Sequence, residues 1–133
     1  MIVVFDTNIW VSALHFALKR GTPRLAIERA VREGIVAICR PIEDEILRIL
    51  TEKFGWKAAD VDAAVEAVLP FPLQTKISGN LHACHAPNDD MVLECAVLAG
   101  AQVIVSGDKD LLVMNSYQGI RIVTPAEFLA ENM

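Results

Sequence analysis

The sequence contains no apolar run reaching the ~18 residues that would cross a bilayer. Its N-terminus also lacks the basic stretch, longer apolar core and small-residue cleavage site of a secretory leader. A cytoplasmic location is the default expectation. Cysteine is scarce: Cys39, Cys84 and Cys95 cannot all pair, and none stands in a C-x-x-C arrangement. Free thiols in a reducing compartment are therefore expected. No G-x-S-x-G elbow and no glycine-rich phosphate loop occurs, so the usual signatures of nucleophilic serine catalysis and of phosphate cradling are missing. Internal repeats, low-complexity segments and linkers are absent as well. Positive charge is in deficit overall, and a net charge of −5 argues against nonspecific nucleic-acid binding through total charge.

What the chain has in plenty is apolar surface. Hydrophobic residues make up 53% of it, so many elements should be buried on more than one side. Its 133 residues suffice for one domain, 1–133, with a core that needs no staples. Eight of the 12 basic residues fall between Lys19 and Lys53, which permits a basic rim around an acidic site.

Ile2 to Phe5 is a short continuous apolar run, β-branched and aromatic, the pattern of a strand buried on both faces. Asp6, Thr7 and Asn8 end it abruptly. In open α/β sheets ligands bind at the carboxyl ends of strands. Asp6 is thus either a carboxylate at that edge or, like Thr7 and Asn8, a candidate cap for the next helix. Ile9 to Leu18 suits a helix packed on the sheet. After a break, Thr22 and Pro23 suit an N-cap followed by proline at the first helical position, for a helix over Pro23 to Glu33 that Gly34 stops. Ile35 to Cys39 is a second buried strand. Pro41 opens a helix to about Phe54, with Ile42, Ile46, Leu47, Ile49 and Leu50 as its apolar stripe.

Ala58 to Leu69 is a further helix, Leu73 to Ile77 a short strand and Ser78 to Pro87 a loop. Asn88 or Asp89 begins a helix to about Ala99. Val103 to Val105 is the third clear strand, with a helical turn over Asp110 to Met114 after it. Ile120 to Val123 is the last strand, and Thr124-Pro125 caps a helix through Ala130. Strands alternating with helices predict an α/β layered fold with a mainly parallel sheet.

Five acids bear on function, Asp89 and Asp90 as alternatives for one position. Asp108 lies just past a buried strand, as Asp6 does, which places both at one edge of a parallel sheet. Asp89 and Asp90 open a helix near that edge, where the helix dipole and capping already favour acids. Glu45 borders the stripe of Ile42, Ile46 and Ile49, whereas Glu43 and Asp44 fit a solvated face. If four carboxylates converge, each like-charged pair at ~5 Å costs about 3 kcal/mol at an effective dielectric of ~20. Such a cluster needs a cation, or protons held by raised pKa values. Oxygen ligands without histidine or thiolate favour Mg²⁺ or Mn²⁺ over zinc, and a carboxylate-held divalent ion suits phosphoryl chemistry. The cluster His82-Ala83-Cys84-His85 offers three soft ligands in four residues, but no second group nearby completes a zinc site.

The apolar strand followed by Asp6-Thr7-Asn8, the helix with Glu45-Ile46-Leu47-Arg48-Ile49-Leu50, Asp89-Asp90 at a helix start and Ser106-Gly107-Asp108-Lys109-Asp110-Leu111-Leu112 after a strand together resemble PIN-domain proteins. Ile122-Val123-Thr124-Pro125-Ala126-Glu127-Phe128-Leu129 resembles that family's last strand and helix. The likeness spans essentially the whole chain and is nearest to single-domain PIN proteins classed as toxins of toxin–antitoxin pairs, similar to VapC ribonucleases. It implies a Mg²⁺- or Mn²⁺-dependent endoribonuclease on a three-layer α/β/α sandwich, often a homodimer, inhibited by a small antitoxin. By position, Asp6, Glu45, Asp89 and Asp108 would form the acidic quartet, and Asp110 an additional acid. Asn8 and Ser106 match polar positions that orient those acids. Counting back from Cys95-Ala96 favours Asp89 for the third acid; a one-residue shift would give Asp90. Basic residues between 19 and 53, with Lys19, Arg20, Arg24 and Arg48 foremost, are candidates for contacts to the RNA backbone.

Two rivals share some of these features. A receiver-like phosphoacceptor also holds Mg²⁺ at strand ends, but it should carry an acidic pair after the first strand, and a phosphoaspartyl phosphatase should carry an acid at position 8. Thr7 and Asn8 count against both. The other rival is a PIN-like domain that binds RNA or a protein without cutting, which an intact acidic set disfavours.

Overall fold

Four of the apolar runs become neighbouring parallel strands. The computed structural model describes residues 1–16, 21–81 and 87–131. Within them the chain runs β1 (Ile2–Phe5), α1 (Thr7–His15), α2 (Thr22–Glu33), β2 (Ile35–Cys39), α3 (Arg40–Phe54), α4 (Ala58–Val68), β3 (Leu73–Thr75), α5 (Pro87–Ala99), β4 (Val103–Val105), α6 (Lys109–Leu112), β5 (Ser116–Tyr117), β6 (Ile120–Val123) and α7 (Pro125–Ala130). The sheet order is β3-β2-β1-β4-β6-β5. All pairs are parallel except β5 with β6.

From β1 the chain steps outward to β2 and β3, then returns to place β4 on the other side of β1. Right-handed crossovers put helices on opposite faces when the direction of travel reverses. Accordingly α5 packs against β1, β2, β3 and β4, while α1 packs on α2 and α3, and α7 on α2. The result is an α/β/α layered sheet, as the alternation of elements predicts. Val3, Val4 and Phe5 are fully buried, because β1 has neighbours on both sides and layers above and below. The Phe5 ring meets Trp10 of α1 and Phe128 of α7 edge-on, at centroid distances of 6.3 and 6.1 Å. Among the described residues, no helix is long and apolar enough to cross a membrane.

Several boundaries differ from expectation for local reasons. The N-cap of α2 is Gly21, one residue before Thr22, and no side chain caps it. Helix α5 already includes Pro87, which the sequence assigns to a loop; proline fits a first helical position because its missing N–H would have had no partner there. Helix α6 covers Lys109–Leu112 rather than Asp110 to Met114, since Asp108 caps it. Strand β5 is unforeseen, being only two residues long and defined by its pairing with β6. At the end of α3, Gly55 takes φ +73°, and the N–H of Trp56 reaches back to the Leu50 carbonyl at 3.0 Å. This is a left-handed closure that suits glycine.

Candidate metal centre

Because β1 and β4 pair with Phe5 opposite Val105, the next residues, Asp6 and Ser106, emerge side by side at the carboxyl edge. This is the point where the strand order reverses, the place where open α/β sheets bind ligands. Asp6 fulfils both roles considered for it. One carboxylate oxygen accepts the Ile9 N–H at 3.0 Å and caps α1. The other accepts the Ser106 hydroxyl. Ser106 in turn accepts the Asp108 N–H at 2.9 Å, so one buried hydroxyl orients both strand-end acids. Asp108 caps α6 by accepting the Asp110 N–H at 2.8 Å.

The other two acids arrive on helices. The first turn of α5 delivers Asp89, and the inner side of α3 delivers Glu45. Asp6, Glu45, Asp89 and Asp108 line one pocket of about 140 Å³, together with Thr7, Asn8, Asn88, Ile49 and Val92. Glu45 is held by Arg48, whose Nε donates to it at 3.1 Å, and the Asn88 amide approaches it at 3.5 Å. Asp89, Asp108 and Asp110 each present an oxygen within 4.8 Å of the others.

The electrostatics of the pocket follow from crowding and burial. Desolvation pushes the Asp6 carboxyl up, against the lowering effect of its bonds from Ser106 and Ile9, and Asp108 adds repulsion. Asp89 is raised to about 6, first by burial and then by Asp108, with Asp6 and Asp110 contributing. Its Oδ2 is buried and has no hydrogen-bond partner. A buried anionic oxygen without a donor is costly, and here it points among other carboxylates. That donor set fits a hard divalent cation with oxygen ligands, and contains neither the imidazole nor the thiolate that zinc prefers.

A family model of the PIN domain matches residues 2–110, a span that contains every one of these acids. The chain belongs to the PIN-domain family. The fold of this PIN domain is similar to a chain in the crystal structure of VapBC2 from Rickettsia felis bound to a DNA fragment from their promoter, with TM-score 0.66 and 15% identity over 92% of this chain and 97% of that one. No curated protein matches the sequence.

Of the two adjacent acids, Asp89 lines the pocket of the PIN domain, and Asp90 does not. Asp90 lines a separate cavity with Ile77, Gly79, Leu81, Met91 and Glu94. Of the basic candidates, Arg48 stands beside the site, tied to Glu45 and also paired with Glu52. Arg24 pairs with Glu28 and does not line the acidic pocket. Lys19 and Arg20 lie outside the described residues, as does the cluster His82, Cys84 and His85. Cys39 and Cys95 are free and buried.

Thr7 and Asn88 line the pocket, although the sequence suggests only helix capping or a helix start for them. Thr7 follows Asp6 directly, so the strand end itself was the signal. Glu94 is a further residue that the sequence does not single out. It is buried on α5 and accepts bonds from Ser78 N–H (2.6 Å), Ser78 Oγ (2.8 Å) and Gly79 N–H (3.1 Å), fixing the chain that approaches α5.

Proposed function

We propose that this PIN domain is a divalent-metal-dependent endoribonuclease, the toxin of a toxin–antitoxin pair, acting in the cytoplasm as a homodimer held in check by a small cognate antitoxin. The partnerless, buried Oδ2 of Asp89 among three further pocket acids carries the catalytic part of this reading. The family match and the fold shared with a chain of a VapBC2 structure support the toxin part.

Asp89 and Asp108, with Asp110 and Asp6 beside them, would hold Mg²⁺ or Mn²⁺, which when bound lowers the pKa of water and offsets charge on a phosphodiester. Asp6 keeps its two hydrogen bonds and still has lone pairs to offer, since each carboxylate oxygen carries two. Ser106 fixes the relative orientation of Asp6 and Asp108. Glu45, held by Arg48 and outside the cluster of Asp89, Asp108 and Asp110, is the carboxylate available to orient and deprotonate an attacking water. Asn8 and Asn88 supply neutral amides at the rim, where they can hydrogen-bond a substrate without adding negative charge.

The test is cleavage of single-stranded and structured RNA with Mg²⁺, Mn²⁺ or EDTA, beside Asp6→Asn and Asp89→Asn. Cleavage is expected only with metal and only from the parent protein. Equal cleavage by the variants, or in chelator, would sink the mechanism.

A further inference from the structure

Beside the acidic pocket runs a wider groove of about 460 Å³. Asn8 and Ile49 line both, so the two adjoin. We propose that this groove is a base-stacking subsite, which takes one unpaired RNA nucleotide next to the phosphodiester presented to the acids. The base lies against Phe16, and the adjoining phosphate lies near Lys53. This inference rests on the ribonuclease reading and names the form of RNA that the site accepts.

The groove has the chemistry for it. Phe16, at the end of α1, is 48% exposed and lines the groove with Phe54, Arg48 and Lys53. No acid lines it. The aromatic ledge is braced from behind. His15 meets Phe16 edge-on at 4.8 Å and stacks on Phe54 at 4.0 Å and 26°. The Trp56 indole N–H fixes His15 by donating to its Nδ1 at 3.1 Å. The Lys53 ammonium lies 5.9 Å from the Phe54 ring centroid. An aromatic face held rigid beside cations binds bases by stacking, which every base can do, while the cations follow the backbone. Unpaired bases can reach such a face, whereas bases within an A-form duplex are stacked away from it.

The charge pattern selects the occupant. A second groove of similar size, between α3 and α4, is lined by Glu43, Asp44, Asp62 and Glu66 against one cation, Arg40, which pairs with Asp44; its net negative charge would repel a polyanion. Among the described residues, the charged side chains lining the groove at Phe16 are Lys53 and Arg48, the latter paired with Glu45 and Glu52, and the groove adjoins the acidic pocket. A strand of RNA thus has one electrostatically favourable approach of the two.

Asp6→Asn provides a background for binding measurements without cleavage. In it, affinities for a labelled single-stranded RNA hexamer and for a duplex of the same sequence are read by fluorescence anisotropy. Phe16→Ala is expected to weaken single-strand binding about tenfold. Phe16→Trp should restore it, duplex binding should be unmoved, and Lys53→Ala should lower the salt slope by about one. Since Phe16 is half exposed, the melting temperature of Phe16→Ala should match that of its parent. Unchanged single-strand binding would leave the groove to a protein segment and overturn the subsite; so would equal losses for single strand and duplex. If the parent protein fails to cut RNA yet binding depends on Phe16, the catalytic reading falls and the subsite stands. If it cuts and Phe16→Ala has an unaltered KM, the subsite alone falls.

Discussion

The Ser106 hydroxyl donates to the Asp6 carboxylate across 100 residues of sequence, at the junction of two neighbouring parallel strands. The same oxygen accepts the Asp108 N–H, so its removal affects two acids at once. Ser106→Ala should leave the fold intact and lower Mn²⁺ affinity and RNA cleavage by about 10- to 100-fold, the usual cost of losing an outer hydrogen bond to a metal ligand. Ser106→Thr keeps the hydroxyl and should retain most of both. Calorimetric titration with Mn²⁺ and a cleavage assay would decide it; an alanine variant equal to the parent in both would show that the bridge is idle.

The second prediction concerns pH. Asp89 has its folded-state pKa raised from 3.8 to about 6, so the folded metal-free protein binds more protons than the unfolded chain between those values. The stability of the metal-free protein therefore falls as pH rises through about 6, the opposite sign to a salt-bridged carboxylate. Asp89→Asn removes this penalty and should stabilise the metal-free protein at pH 8 by about 1 kcal/mol, allowing for screening. Parent Mn²⁺ affinity should drop about tenfold per pH unit below 6, because the ion must displace that proton. Melting curves in EDTA at pH 5 and 8 test the first statement, and titrations at the same pH values test the second.

A third prediction separates positioning from stability. Arg48 fixes Glu45 from the next turn of α3, and its side chain is 58% exposed, so the pair contributes little to folding. Arg48→Ala should change stability by less than about 0.5 kcal/mol. It should nonetheless lower kcat about tenfold, since a carboxylate released from its partner loses alignment. Arg48→Lys keeps the charge but not the two-pronged contact, and should recover only part of the rate.

Glu94 behaves in the reverse way. Burial raises its carboxyl pKa, but the bonds from Ser78, Leu81 and Gly79 outweigh this and hold it below the usual value. Glu94→Ala strands several N–H donors and should cost about 2 kcal/mol, with Glu94→Gln between it and the parent. Chemical denaturation measures this directly, and a loss under about 0.5 kcal/mol for alanine would contradict the clamp.

Most of the sheet was legible in the sequence. Strands β1, β2, β4 and β6 fall where the apolar runs lie, because strands buried on both faces need such runs and the next residues end them with acids, glycine or proline. The pairing of Asp6 with Asp108 at one edge was legible for the same reason. Choosing between Asp89 and Asp90 was not: both are buried, and only the roll of α5 turns Asp89 to the pocket. Helix α5 is buried continuously from Val92 to Ala96, so its periodicity marks no outer face, and the acid Glu94 within that run gave no signal. Strand β5 exists only by virtue of its partner. The Phe16 ledge depends on a stack of rings contributed by α1 and the end of α3, which no local pattern reveals.

The distance in sequence between Asp6 and Asp108 has a consequence for the protein's synthesis. Strand β1 is made some 100 residues before its neighbour β4. At ~5–20 residues per second a ribosome needs on the order of 5–20 s to make the intervening chain. During that interval Asp6, and then Glu45 and Asp89 as they are made, lack Asp108, and the pocket is incomplete. On the ribonuclease reading proposed above, a nascent chain would thereby spare the ribosomal and messenger RNA beside it until β4 and Asp108 have been made and docked.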